Sequence, residues 1–193
     1  MVNLPLDPAR TALLVMDFQK PIVERIAAGQ SAVLDAAVEA LAAARQRGLL
    51  VVYVVVGFRP GFPEIHPHNR RFGALKTSGT QLSTEIHAAL APRPEEVIVT
   101  KHRVGAFHGT DLDMILRAHG VDTLVLTGLA TSGVVLSTVR HGSDADYRLI
   151  VLRDACADPD AAVHACLMDK VFASQAEIAT AAELAQALAS SPA

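Results

Sequence analysis

The chain has 193 residues, a formal net charge of -3, and 51% hydrophobic but only 4% aromatic residues. That length suits one compact domain, residues 1–193, with a sizeable core, and the excess of Ala, Val and Leu is the usual filling of helices packed on a parallel sheet. Mild negative charge and scattered basic residues give no electrostatic footprint for nucleic acid or an anionic membrane, and neither is expected as a partner.

No apolar run approaches the roughly 18 residues of a bilayer span. The opening MVNLPLDPAR lacks the charged and apolar regions of a secretion signal. The expectation is a cytoplasmic protein whose Cys156 and Cys166 stay reduced. Cys156 reads as a small buried thiol, and Cys166, among Val163, Leu167 and Val171, reads as core.

In chain order, residues 11–17 (TALLVMD) are predicted as a buried strand ending on an acid. Ser31 is placed as the cap of a helix whose apolar positions Val33, Leu34, Ala37, Val38 and Leu41 recur at helical spacing, and Gly48 ends it. Residues 49–57 form the second strand. A polar stretch at 58–81 follows, with three prolines, three glycines and three arginines, and so long a loop in a compact domain is usually functional.

Residues 95–101 are a third strand ending on Lys101. A short helix is expected from Thr110, with Asp113 in an approximate capping box. DTLVLTG is strand four, a helix follows from about Ser132, and YRLIVLRDA is strand five. Asp158 is expected to cap the next helix, with Pro159 in its first turn. AEIAT is a short sixth strand, and Thr180 with Glu183 boxes the last helix.

Strands alternating with helices predict an α/β fold of three layers, with helices on both faces of a mostly parallel six-stranded sheet, Rossmann-like in plan. Ligands collect at the carboxyl ends of such strands. Asp17, Lys101 and the turn after Gly128 all fall there. An acid and a base at equivalent strand ends form either a functional pair or a structural ion pair.

Taken in order and at their intervals, LLVMDFQ, VTKHRVGAF, LVLTGLATSGVVLSTV and YRLIVLRDACAD resemble the motifs of the isochorismatase-like hydrolases, also called cysteine hydrolases. The resemblance covers essentially the whole chain and implies that fold, a small-molecule substrate, no cofactor, and a homo-oligomer, dimer or tetramer. It assigns Asp17 and Lys101 as catalytic and makes the Leu129–Ala130 peptide cis. The position of the cysteine nucleophile falls on Val134, so no thioester can form there. Ser132, Cys156 and Cys166 make poor substitutes.

Family members without the cysteine hydrolyse a vinyl ether, which needs a proton on carbon and water on the resulting oxocarbenium ion. Asp17 is expected to be that acid, with Lys101 holding a substrate carboxylate or balancing the proton. An amidohydrolase-like enzyme using activated water, and a non-catalytic binding relative, are the alternatives. Gln19 at a pocket rim, Arg59 on the long loop, Phe107 as an aromatic wall, and Leu129, Ala130 and Val134 complete the expected substrate contacts. Nicotinamidases of the family bind zinc near the position of His66 and His68. Here that loop lacks an aspartate, and no metal site is expected. His102 and His108 flank the Lys101 region.

Overall fold

Every residue of the first strand, β1 (Thr11–Met16), is buried, which places it in the middle of a sheet covered on both faces. The computed structural model of the chain describes Leu4 and residues 6–27 and 31–191. Five further strands join β1: β2 (Leu50–Val56), β3 (Val97–Lys101), β4 (Thr123–Leu129), β5 (Arg148–Ala157) and β6 (Glu177–Ala179). Their order is β3-β2-β1-β4-β5-β6 and every pairing is parallel. The chain therefore reverses its direction of travel across the sheet at β1 and β4, the place where such folds open a crevice.

Alternation along the strands divides the core in two. Leu13, Val15, Val51, Tyr53, Val125 and Ile150 belong to one cluster, and Leu14, Met16, Val52, Val54, Leu124 and Leu126 to the other. The helix α1 (Lys20–Ile26), α2 (Ser31–Gln46) and the last helix put their buried residues into the first cluster. The short α3 (Gly73–Ser78) lies within the long loop. Helices α4 (Leu112–Ala118) and α5 (Leu136–Asp144) cover the second face, followed by α6 (Ala161–Cys166) and α7 (Ala181–Ser190).

Several local signals act as expected. Gly48 ends α2 with φ +70°, and Leu49 N–H donates to Ala44 O at 3.0 Å, a left-handed stop that suits glycine. The α7 capping box is complete: Thr180 accepts from Glu183 N–H while Glu183 accepts from Thr180 N–H. Ser31 is the first residue of α2, and the residue before it lies outside those described.

Other expectations are corrected. Helix α1 was not foreseen, because its run KPIVERI is too short for a clear period. Asp113 does not reach back to Thr110. It bonds Arg117 at 2.8 Å and the Tyr147 hydroxyl at 2.9 Å. Asp160, not Asp158, caps α6 by accepting from Ala162 and Val163 N–H. Cys166 is exposed, because α6 buries none of its residues. Strand β5 runs longer than expected and slips against β4, with Leu126 opposite Val151 but Gly128 opposite Cys156. That slip carries Ala157 level with Leu129 and delivers Asp158 to the turn beyond β4.

Candidate active site

Asp17 follows β1 directly with φ +59°, a left-handed conformation that aspartate tolerates better than most residues. Its N–H donates to Val54 O at 2.8 Å, so β2 holds the turn that aims the carboxyl. Lys101 ends β3, and β2 lies between the two strands. At a strand spacing near 4.8 Å the gap is about 10 Å, which the long flexible stem of lysine is suited to cross.

It does cross. Lys101 Nζ stands 2.9 Å from Asp17 Oδ2, and both side chains are buried, 2% and 9% exposed. The ammonium also donates to Arg103 O at 3.1 Å. Burial pushes the Asp17 carboxyl up to about 6, against the opposing pull of Lys101 and, further off, of Arg71. Asp17 Oδ1 is buried and has no hydrogen-bond partner among the described residues. A buried acceptor left alone is costly, so this oxygen is where a proton or a substrate donor would be stabilised. The arrangement is a carboxyl that gives or takes a proton near neutrality, with a cation in place for its ionised form.

The turn after β4 starts beside Asp17, since Gly128 pairs with Met16. Leu129–Ala130 is a cis peptide, as the resemblance implied. Residues Thr131–Val135 then wind as one wide, π-helical turn with a kink at Gly133 (φ -101°, ψ -105°). Val134 is buried at 2% exposure and packs on Gly128. A Cβ placed on Gly128 would stand 3.3 Å from Val134 Cγ1 and 3.0 Å from Met16 O. Only glycine lets the turn lie this close to the end of β1. Ser132 N–H donates to Asp158 Oδ2 at 2.7 Å, and the Thr131 hydroxyl meets His164 Nδ1 at 2.8 Å.

Two expected substrate contacts, Gln19 and Arg59, are placed elsewhere. Gln19 is wholly buried and its amide is committed to backbone. It donates to Val56 O and Ser83 O and accepts from Val56 N–H, so it clamps the long loop to β2 and does not line a rim. Arg59 pairs with Glu64 at 2.6 Å and is 70% exposed. With Ile98, Thr100 and His102 it borders a hollow of about 520 Å³ on the face of β3 opposite Lys101, because side chains alternate along a strand. Phe107 is stacked on His141 at 4.4 Å and sits near Tyr147, packing of a kind that any core aromatic makes.

Cys156 is buried, and burial pushes its thiol up to about 12, far from a nucleophile's range. His102 Nδ1 bonds Gly57 O at 2.6 Å. The rings of His66 and His68 meet edge to face at 4.6 Å. Sequence reasoning missed Arg71, an exposed cation on the long loop that acts on Asp17. Its position is fixed by the buried Phe72 beside it, whose ring stands 5.1 Å from that of Phe58. Adjacency to a loop aromatic was the available signal.

Comparison with known proteins follows from this geometry. The isochorismatase domain matches residues 11–183. The ureidoacrylate amidohydrolase RutB of Methylobacterium radiotolerans is 36% identical over 177 residues, covering 79% of this chain and 69% of that protein. The chain spans 56% of the protein of the same name from Methylorubrum extorquens. Among solved structures, a cysteine hydrolase from Pseudomonas syringae superposes with a TM-score of 0.87 at 28% identity, over 98% of this chain and 97% of that one. The N-carbamoylsarcosine amidase of Thermoplasma acidophilum gives 0.73 at 27% identity, over 89% and 96%.

Proposed function

The chain belongs to the isochorismatase family of hydrolases, and from that premise we propose that it cleaves its substrate without a cysteine nucleophile, with Asp17 as general acid. The observation that carries this reading is a protonatable Asp17, its pKa raised to about 6, beside a nucleophile position filled by Val134. The substrate class is a small anionic enol ether. Asp17 gives its proton to the alkene carbon, the ether oxygen shares the resulting positive charge, and water adds to the oxocarbenium carbon. The attacking water returns one proton to Asp17, and collapse of the hemiketal breaks the original ether C–O bond while the hemiketal hydroxyl proton passes to the departing oxygen, leaving a ketone and an alcohol. Lys101, at 2.9 Å, holds the Asp17 carboxylate while its proton is away. Arg71 holds the substrate's own carboxylate at the mouth.

A second reading is favoured by the relatives' names, two of which denote amide-cleaving enzymes. In it, ionised Asp17 takes a proton from water as the water attacks a ureido or amide carbonyl. It asks more of the site, since a neutral amide is a poor electrophile and the covalent route is closed at Val134. Incubating the protein with enol-ether carboxylates and, separately, with ureido acids separates the two. Release of a 2-oxo acid from the first supports acid-catalysed ether cleavage, whereas ammonia from the second alone would replace it with the amide reading.

A further inference from the structure

Helix α6 buries none of its residues. Ala161, Ala162, Ala165 and Cys166 are exposed and Val163 is 37% exposed. Its own residues therefore supply little packing, although the chain runs on in helical conformation into Leu167–Val171, where Met168 and then Phe172 are fully buried and anchor the far end. What locates its first turns is polar. Asp160 caps its first turn, Asp158 just before it accepts from Ser132 N–H at 2.7 Å, and His164 within it meets the Thr131 hydroxyl at 2.8 Å. The last two bonds end on consecutive residues of the turn that follows β4, which starts beside the end of β1.

Thr131 is fully buried, so its hydroxyl needs a partner. His164 is the partner, and it alone among the residues of α6 is not exposed. Burial and Arg153 hold this imidazole below its ordinary range, against the pull of Asp158 and Asp169. At neutral pH it is uncharged, and in the tautomer protonated at Nε2 its Nδ1 accepts a hydrogen bond from the Thr131 hydroxyl. An exposed helix retained beside a buried hydroxyl makes physical sense if the hydroxyl's position matters.

We propose that His164 is a positioning residue: through Thr131 it sets where the turn Thr131–Val135 stands relative to Asp17. Between Val134 Cγ1 and Met16 O there is no room for even a methyl group on Gly128, so a displacement of Thr131 is passed to the wall of the site beside the acid. Misplacement of that order lowers turnover by about tenfold to a hundredfold while leaving substrate binding nearly unchanged. The role rests on the reading of Asp17 as acid only for its effect on rate.

The test uses His164→Leu, which removes the bond, and His164→Asn, whose amide occupies the place of Nδ1. Amide 15N–1H shifts of residues 131–135 are measured in both, together with kcat and KM on an enol-ether carboxylate. In His164→Leu those shifts should move and kcat should fall at least tenfold with KM within about twofold, while Tm falls by a few degrees, as a buried hydroxyl left without its partner requires. His164→Asn should restore both. Thr131→Val, isosteric but lacking the hydroxyl, should reproduce the leucine variant. Unmoved turn resonances in His164→Leu, or an asparagine variant no better than leucine, would overturn the proposal. Should wild type cleave no enol ether, the proposed reaction fails, yet the resonance comparison still decides the positioning role.

Discussion

At the scale of single residues, the chemistry concentrates on one proton. Asp17→Asn keeps the shape, suits the left-handed backbone at φ +59° and removes the acid. It should lower kcat by about two to four orders of magnitude, measured on the enol-ether substrate. The pH dependence follows from the direction of the shift. A carboxyl raised to about 6 by burial is protonated below that value, so a rate that needs the acid should be highest in mild acid. It should fall as pH rises through about 6. A rate that instead climbed through this region would identify the carboxylate as the working form, as amide hydrolysis requires. Lys101 opposes the rise, so Lys101→Met should move the midpoint of the pH–rate profile upward. Val134→Cys places a thiol in the family's nucleophile position, and it should bring amide or ester cleavage sensitive to iodoacetamide. Wild type should lose no activity to that reagent, since Cys156 is buried with its thiol pushed up to about 12 and the exposed Cys166 lies on the outer face of α6.

At the scale of elements, two glycines packed in the core give a contrast in stability. At Gly142 an added Cβ would meet Leu149 Cδ2 at 2.9 Å, the movable end of a side chain. At Gly128 it would meet the Met16 carbonyl oxygen at 3.0 Å and Met16 Cβ at 3.1 Å, which are fixed. Gly128→Ala should therefore cost about 1–3 kcal/mol by overpacking and also depress activity, while Gly142→Ala should leave kcat unchanged. Thermal melts and rates on both variants check this. The elements themselves were largely legible, because a strand buried on both faces is a continuous apolar run and the α7 capping box is written in four adjacent residues, Thr180 to Glu183. Asp17 and Lys101 were legible as polar endings of apolar runs. What escaped depends on contacts between distant segments. Gln19 reaches Ser83, Asp158 reaches Ser132, and His164 reaches Thr131, and no local period announces a side chain that bonds remote backbone or a remote hydroxyl. Cys166 was misplaced for a related reason: its apolar neighbours gave α6 a buried-looking stripe, but among the described residues α6 buries none of its own side chains.

At the scale of the whole molecule, the site belongs to no contiguous stretch of chain. Asp17 comes from the end of β1, Lys101 from the edge strand β3, and the adjoining wall from β4. The central strand β1 pairs on one side with β2, its neighbour in sequence, and on the other with β4, where Thr127 Oγ1 reaches Leu14 O across 113 residues of chain. This order of strands is also a timetable. The connection from Met16 to Leu50, through α1 and α2, is much shorter than the span from β1 to Thr123 at the start of β4. Closing it costs less entropy, so the half carrying Asp17 and Lys101 should assemble before β4 arrives. In pulse-labelled hydrogen exchange during refolding, amides at Val52 and Val54 should gain protection ahead of those at Val125 and Leu126, and enzymatic activity should return only with the later group. Simultaneous protection of both would mean that the sheet condenses as one unit. With the expected sequence of events, a half-folded chain would already hold its acid and its lysine, yet turn over nothing.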